Sequence, residues 1–167
     1  MTHMVVMRGG PGVGKSRLAR QLSEELGDPD LGQLRCPIFS ADNFFIGEDG
    51  QYRFLPDLIA KAHGSCLKGT ATHMIVNGGP LIVDNTGARL EEIIPYLALC
   101  NAFNYTCEVV TVTCDRELAW YRQVHSVPRA KFDELHHLVE ITNKLPELYA
   151  RAPWVTTRTV DTTEGGA

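Results

Sequence analysis

The chain has 167 residues, 44% of them hydrophobic, which is enough to fill one core, and a single domain over residues 1–167 is expected. Acidic residues outnumber basic ones 20 to 16 for a formal charge of -4, so no chain-wide cationic field attracts nucleic acid and any such contact must be local. Cys36, Cys66, Cys100, Cys107 and Cys114 form no CxxC pair, and neither a signal-peptide pattern nor an apolar run of membrane length is visible. A reducing, cytoplasmic setting without membrane contact is expected, and host cytoplasm if the chain is phage-encoded.

The first element in chain order is "HMVVMRG", a short apolar run that reads as a central buried strand and feeds directly into "GGPGVGKS". "KSRLARQLSEEL" follows as a helix with Leu18, Leu22 and Leu26 on one face and Gly27 as its stop. "CPIFS" predicts a second strand ending near Ser40. "IGEDGQYRFLPDL" is an excursion over the sheet, and Pro56 to Met74 is helical. "PLIVDN" predicts a third strand closing at Asp84, and "ARLEEIIPYLALCNAFN" a helix kinked at Pro95. "YTCEVVTVTC" predicts a fourth strand. "DRELAWYRQ" begins a helix that breaks at "HSVP" and resumes from Arg129 or Ala130 through "NKL". "WVTTRTV" is a candidate fifth strand before a fraying "TTEGGA" end. Strands alternating with helices imply a three-layer α/β fold with a mainly parallel sheet and its sites at the carboxyl edge.

Gly9, Gly10, Pro11, Gly12, Val13, Gly14, Lys15 and Ser16 satisfy GxxxxGK[ST] between a strand and a helix. Such a turn aims backbone N–H groups at phosphate oxygens, and the helix start adds its positive end. Lys15 can reach the β- and γ-phosphates of ATP, and the Ser16 hydroxyl can join a Mg²⁺ shell. Arg17 reads as a solvated helix residue beside the loop.

Phosphoryl transfer also needs an oriented acceptor. Asp42, after the second strand, is the candidate base, with a helix cap as its simpler reading. Asp84 is placed to hold the water shell of Mg²⁺ or to position the acceptor, with an Asx-turn as its simpler reading; Asn85 could make that turn equally well. Arg122, just before the helix break, and Arg129, at the start of the next helix, are candidate phosphate donors on a lid over about residues 116–132. The histidines His63, His73, His125, His136 and His137 have no zinc spacing and are read as surface or capping residues. Phe44, Phe45, Tyr52 and Phe54 form either an aromatic wall for a base or a cluster that anchors the excursion.

"RGGPGVGKSRLAR", "IFSADNFF" followed by "DGQYRFLPDLIAKAH", "LIVDNT" and "YRQVHSVPRAKF" together resemble the polynucleotide-kinase-like P-loop kinases. That group includes the bacteriophage polynucleotide kinase domain, the NEDD4-binding-protein-2-like domains and phage kinases of 5-hydroxymethyluracil in DNA. The resemblance implies phosphate-loop roles for Lys15 and Ser16, a general base at Asp42, the "DNT" aspartate at Asp84 and a lid arginine at Arg122. It departs from the family's lid segment at Gln123 and Ser126, which stand for asparagine and glycine. The implied activity is ATP-dependent phosphorylation of a nucleic-acid hydroxyl, at a 5' end or on a hydroxymethylated base. A small-metabolite or nucleoside kinase and a P-loop NTPase switch are the other classes the residues allow.

Overall fold

The computed structural model describes residues 2–27, 34–142 and 152–164. β1 (His3–Arg8) leads through the glycine loop into α1 (Lys15–Glu25), and β2 (Ile38–Phe39) follows. Two 3-10 turns, Ala41–Phe45 and Pro56–Leu58, precede α2 (Ile59–Val76), β3 (Leu81–Asp84) and α3 (Leu90–Phe103). β4 (Thr106–Thr113), α4 (Arg116–Arg122), α5 (Arg129–Ile141) and β5 (Val155–Asp161) complete the order. All strand pairings are parallel, in the order β2-β3-β1-β4-β5.

Side-chain alternation along the strands builds the layers. Met4 and Val6 of β1, Leu81 and Val83 of β3, and Cys107 and Val109 of β4 share one core with Ala62 and Cys66 of α2 and Ile93 and Tyr96 of α3. The alternate residues Val5, Met7, Ile82, Val110 and Val112 face Ala19 and Leu22 of α1, Ala119 of α4 and Phe132 of α5. Both faces of every central strand are therefore buried, which is why these segments read as continuous apolar runs. α3 runs unbroken through Pro95, and β5 pairs with β4 from Cys107↔Val155 to Thr113↔Asp161. The expected continuation of the last helix through "NKL" lies outside the described residues.

The topology also fixes where a ligand can enter. β1 and β3 are neighbours, yet the chain leaves β1 toward α1 on one face and leaves β3 toward α3 on the other. Their carboxyl ends consequently open a crevice at the point where the winding reverses. Arg8 closes its floor. This residue is fully buried, with Nε donating to the Gly87 carbonyl at 2.9 Å and Nη2 to the Val139 carbonyl at 3.2 Å and to the Thr142 hydroxyl. A guanidinium removed from water needs such acceptors, and here they bind the end of α5 to the end of β1.

Candidate active site

The glycine loop is held from four directions. Gly9 N–H donates to the Thr86 carbonyl at 2.9 Å, and Gly14, left-handed at φ 86°, caps α1. Gly12 lies under α4: a Cβ there would stand 1.9 Å from the Ala119 carbonyl oxygen. His136 Nε2 is 3.0 Å from the Pro11 carbonyl, and its ring packs where a Gly10 side chain would be. Thr162 Oγ1 donates to the Val13 carbonyl at 2.8 Å.

Two of these supports correct the sequence reading. His136 is buried, 7% exposed, rather than at the surface, because its ring fills the space between Phe132, 4.2 Å away between centroids, and the loop. Burial, reinforced by Arg116 and Lys15, pushes its pKa below the ordinary histidine value against the opposing pull of Pro11 and Glu140. The chain after β5 does not fray at once either: Thr162 N–H donates to the Thr113 carbonyl at 2.9 Å, and the Thr163 hydroxyl accepts from Asp115 N–H at 2.9 Å. Neither support had a local signal, since each partner lies more than 45 residues away.

Lys15 Nζ donates to the Gly10 carbonyl at 2.9 Å, inside the loop it belongs to. Desolvation pushes the ammonium below its ordinary pKa, while Asp84 and then Asp42 pull it back up. The two strand-end aspartates therefore share a field with the phosphate-loop lysine. Asp84 is paired in register with Met7, 8% exposed, and its Oδ1 is buried without a hydrogen-bond partner among the described residues. An orphaned carboxylate oxygen costs more than the ~1–3 kcal/mol of a neutral buried group, and a cation at this edge would relieve it. The Ser16 hydroxyl is exposed at the start of α1. Among the described residues no three His, Cys, Asp or Glu cluster as a metal cage.

Asn85 does more than make a turn. Its Oδ1 accepts from Ala41 N–H at 2.8 Å, while its Nδ2 donates to the Tyr96 hydroxyl at 3.2 Å. It thus fixes the start of the turn that carries Asp42 to the end of the strand that carries Asp84. Ser40, not Asp42, caps that turn, its Oγ accepting from Asp42 N–H at 3.2 Å. The Asp42 carboxylate is left exposed, accepting from the Tyr52 hydroxyl and facing His125 of the lid loop. The excursion's rings are largely spent on one another: Phe45 is buried and contacts Phe44, Tyr52 and Phe54 with centroids 5.4, 6.1 and 5.0 Å away.

The two lid arginines separate. Arg122 Nη1 donates to the Thr162 carbonyl at 3.2 Å and to Cys114 Sγ at 3.5 Å, which places it beside the tail that holds Val13. Arg129 bonds Glu117 of α4 at 2.7 Å and Asp133 of α5 at 3.0 Å and lies 5.1 Å over the Trp120 ring. In this structure it joins the two lid helices.

A sequence profile described as AAA domain matches residues 4–136. The chain belongs to that family. Human NEDD4-binding protein 2 is 35% identical over 102 residues, covering 61% of this chain but only 5% of the human protein, so the chain spans a small part of that relative's length. Among solved structures, the AvrRxo1-ORF1:AvrRxo1-ORF2 complex with ATP superposes with a TM-score of 0.72 at 17% identity, over 100% of this chain and 56% of that one. Kti12 of Chaetomium thermophilum, in complex with ADP-AlF3, gives 0.65 at 16% identity, over 95% of this chain and 88% of that one. These likenesses establish a three-layer P-loop kinase-like fold with a parallel sheet and a helical lid. No described helix is long and apolar enough to cross a membrane.

Proposed function

We propose that the protein is an ATP-dependent phosphotransferase that moves the γ-phosphoryl group to a hydroxyl of nucleic acid, at a 5' end or on a hydroxymethylated pyrimidine. The observation that carries this reading is the pair of hydrogen bonds, Ala41 N–H to Asn85 Oδ1 and Gly9 N–H to the Thr86 carbonyl, that hold the Asp42 turn and the phosphate loop to the end of the strand carrying Asp84. A nucleotide switch needs a phosphate loop and a metal carboxylate. An exposed second aspartate, held by its own anchored turn, is what an acceptor requires.

In this reading Lys15 and the loop N–H groups hold the β- and γ-phosphates. Asp42 takes the proton of the attacking hydroxyl as its oxygen bonds to the γ-phosphorus and the bond to the β–γ bridging oxygen breaks, leaving ADP. Arg122 supplies guanidinium donors to the charge that builds on the phosphates. Ser16 and Asp84 are the groups suited to Mg²⁺, which when bound neutralises phosphate charge. Cytoplasmic residence is part of the same proposal.

The test offers ATP labelled at the γ-phosphate with 5'-hydroxyl oligonucleotides, end-blocked strands containing 5-hydroxymethyluracil, and free nucleosides, followed by digestion to mononucleotides. Label at the 5' end or within blocked strands supports the proposal and tells the two acceptors apart. Label confined to free nucleosides refutes the nucleic-acid reading. Lys15→Ala abolishes transfer with the fold retained, and Ser16→Ala lowers turnover more than nucleotide affinity.

A further inference from the structure

Two clefts open along the β2 edge and meet at Phe39 and Ser65. The first, about 220 Å³, lies between the Asp42 turn and α2, with Phe39 and Phe44 as aromatic walls and Asn43 on its lining. The second, about 390 Å³, continues along α2 past Lys68 and His73. The Phe39 and His73 rings are 5.7 Å apart, and Lys61 Nζ stands 5.9 Å from the Phe44 ring centroid. One groove, beginning at the residue after Asp42, is therefore lined by aromatic surface and Lys68, with Lys61 beside it over the Phe44 ring.

We propose that this groove is a track for a single-stranded nucleic-acid acceptor, with bases against Phe39 and Phe44 and phosphates on Lys61 and Lys68. The proposal rests on the phosphotransferase reading for its direction, since the track leads a strand toward Asp42. Three observations support the track. The first cleft, about 220 Å³, falls below the ~300–1,000 Å³ of pockets for drug-sized ligands, which suits one unstacked base better than a base pair. Lys61 and Lys68 are exposed and have no ion pair among the described residues; Arg17 and Arg20 are likewise exposed without one, but they lie on α1 in the opposite layer. Seven residues apart on α2, Lys61 and Lys68 share a face about 10 Å in length, two helical turns. Stacking platforms beside a basic stripe are how strands are held without sequence preference. The groove answers the difficulty posed by the charge of -4: the contact is local, and its cations come from α2.

The experiment compares the protein with its Lys61→Gln, Lys68→Gln and double variants, after thermal denaturation has shown their folds unchanged. Fluorescence anisotropy of a labelled oligothymidylate reads binding whether or not transfer occurs, and steady-state kinetics reads KM for a 5'-hydroxyl oligonucleotide. The double variant is expected to weaken strand binding about tenfold or more, leave KM for ATP unchanged, and flatten the dependence of log affinity on log salt by about 0.7 per lysine. Wild-type strand affinity and salt slope in the double variant overturn the track while leaving the kinase reading intact. Lysine-dependent strand binding with no transfer to any acceptor supports the track and overturns the kinase reading. A protein that binds no strand overturns the track directly.

Discussion

Tyr52 donates a 3.1 Å hydrogen bond to Oδ1 of Asp42, and its ring lies 4.6 Å from that of His125, whose Nε2 is 3.8 Å from Oδ2 of the same carboxylate. Asp42 is thereby gripped from the excursion and approached from the lid loop at once. Desolvation first, and then the negative charge of Asp42, push the Tyr52 phenol up to about 12. It remains a donor throughout the neutral range.

A positioning role for Tyr52 predicts a specific pattern of turnover. Asp42→Asn should lower kcat by about 10²–10⁴, the usual contribution of a general base, with ATP affinity retained. Tyr52→Phe keeps the ring and loses the bond, for a fall of about tenfold or more, the worth of a hydrogen bond to a charged group. In the Asp42→Asn background the second substitution should add almost nothing, because it acts through the same carboxylate. Additive losses in the double variant would show that Tyr52 works elsewhere.

His136 predicts the sign of a pH effect on stability. Its folded pKa is depressed, so below the ordinary value of 6.5 the unfolded chain takes up the proton first and the folded state loses stability as pH falls. His136→Gln removes that titration while keeping a donor for the Pro11 carbonyl. Denaturant unfolding between pH 8 and pH 5 should therefore show a shallower decline in the variant than in the parent. The depressed His3 and His73 act in the same direction in both proteins and leave the difference unaffected. Parallel profiles would remove His136 as a contributor.

Gly12 and Gly50 offer a matched comparison. Their φ angles are +76° and +74°, so alanine at either position incurs the same left-handed backbone cost, about 1–2 kcal/mol. Nothing lies within 4 Å of the added carbon at Gly50, whereas at Gly12 it would overlap the Ala119 carbonyl. Gly12→Ala should lower Tm well beyond Gly50→Ala and raise KM for ATP by displacing α4 from the loop. Equal Tm values in calorimetry would mean that the loop and α4 yield without cost.

Much of the candidate site was readable because its parts are local. A strand, a glycine turn and an amphipathic helix in sequence specify Lys15 and Ser16, and an apolar run ending in aspartate specifies Asp84. The expected strands and lid break were found for the same reason, since each rests on periodicity within a short window. The supports were not readable. Asn85 reaches Ala41 across 44 residues, and His136 reaches Pro11 across 125. A histidine under a loop has the same neighbours in sequence as one on a surface. Arg129 illustrates the converse, since its ion pairs with Glu117 and Asp133 depend on how two helices meet at the break.

The grip of Thr162 on Val13 sets an order of events during synthesis. The phosphate loop leaves the ribosome well before its supports, since one of its carbonyls waits for a hydroxyl 149 positions later and another for an imidazole 125 positions later. Strand β5 must dock on β4 before that hydroxyl arrives, and this late parallel pairing is among the slower steps in folding. A nascent chain that has already formed β1 and α1 thus carries an unfinished phosphate loop until β5 and Thr162 have emerged.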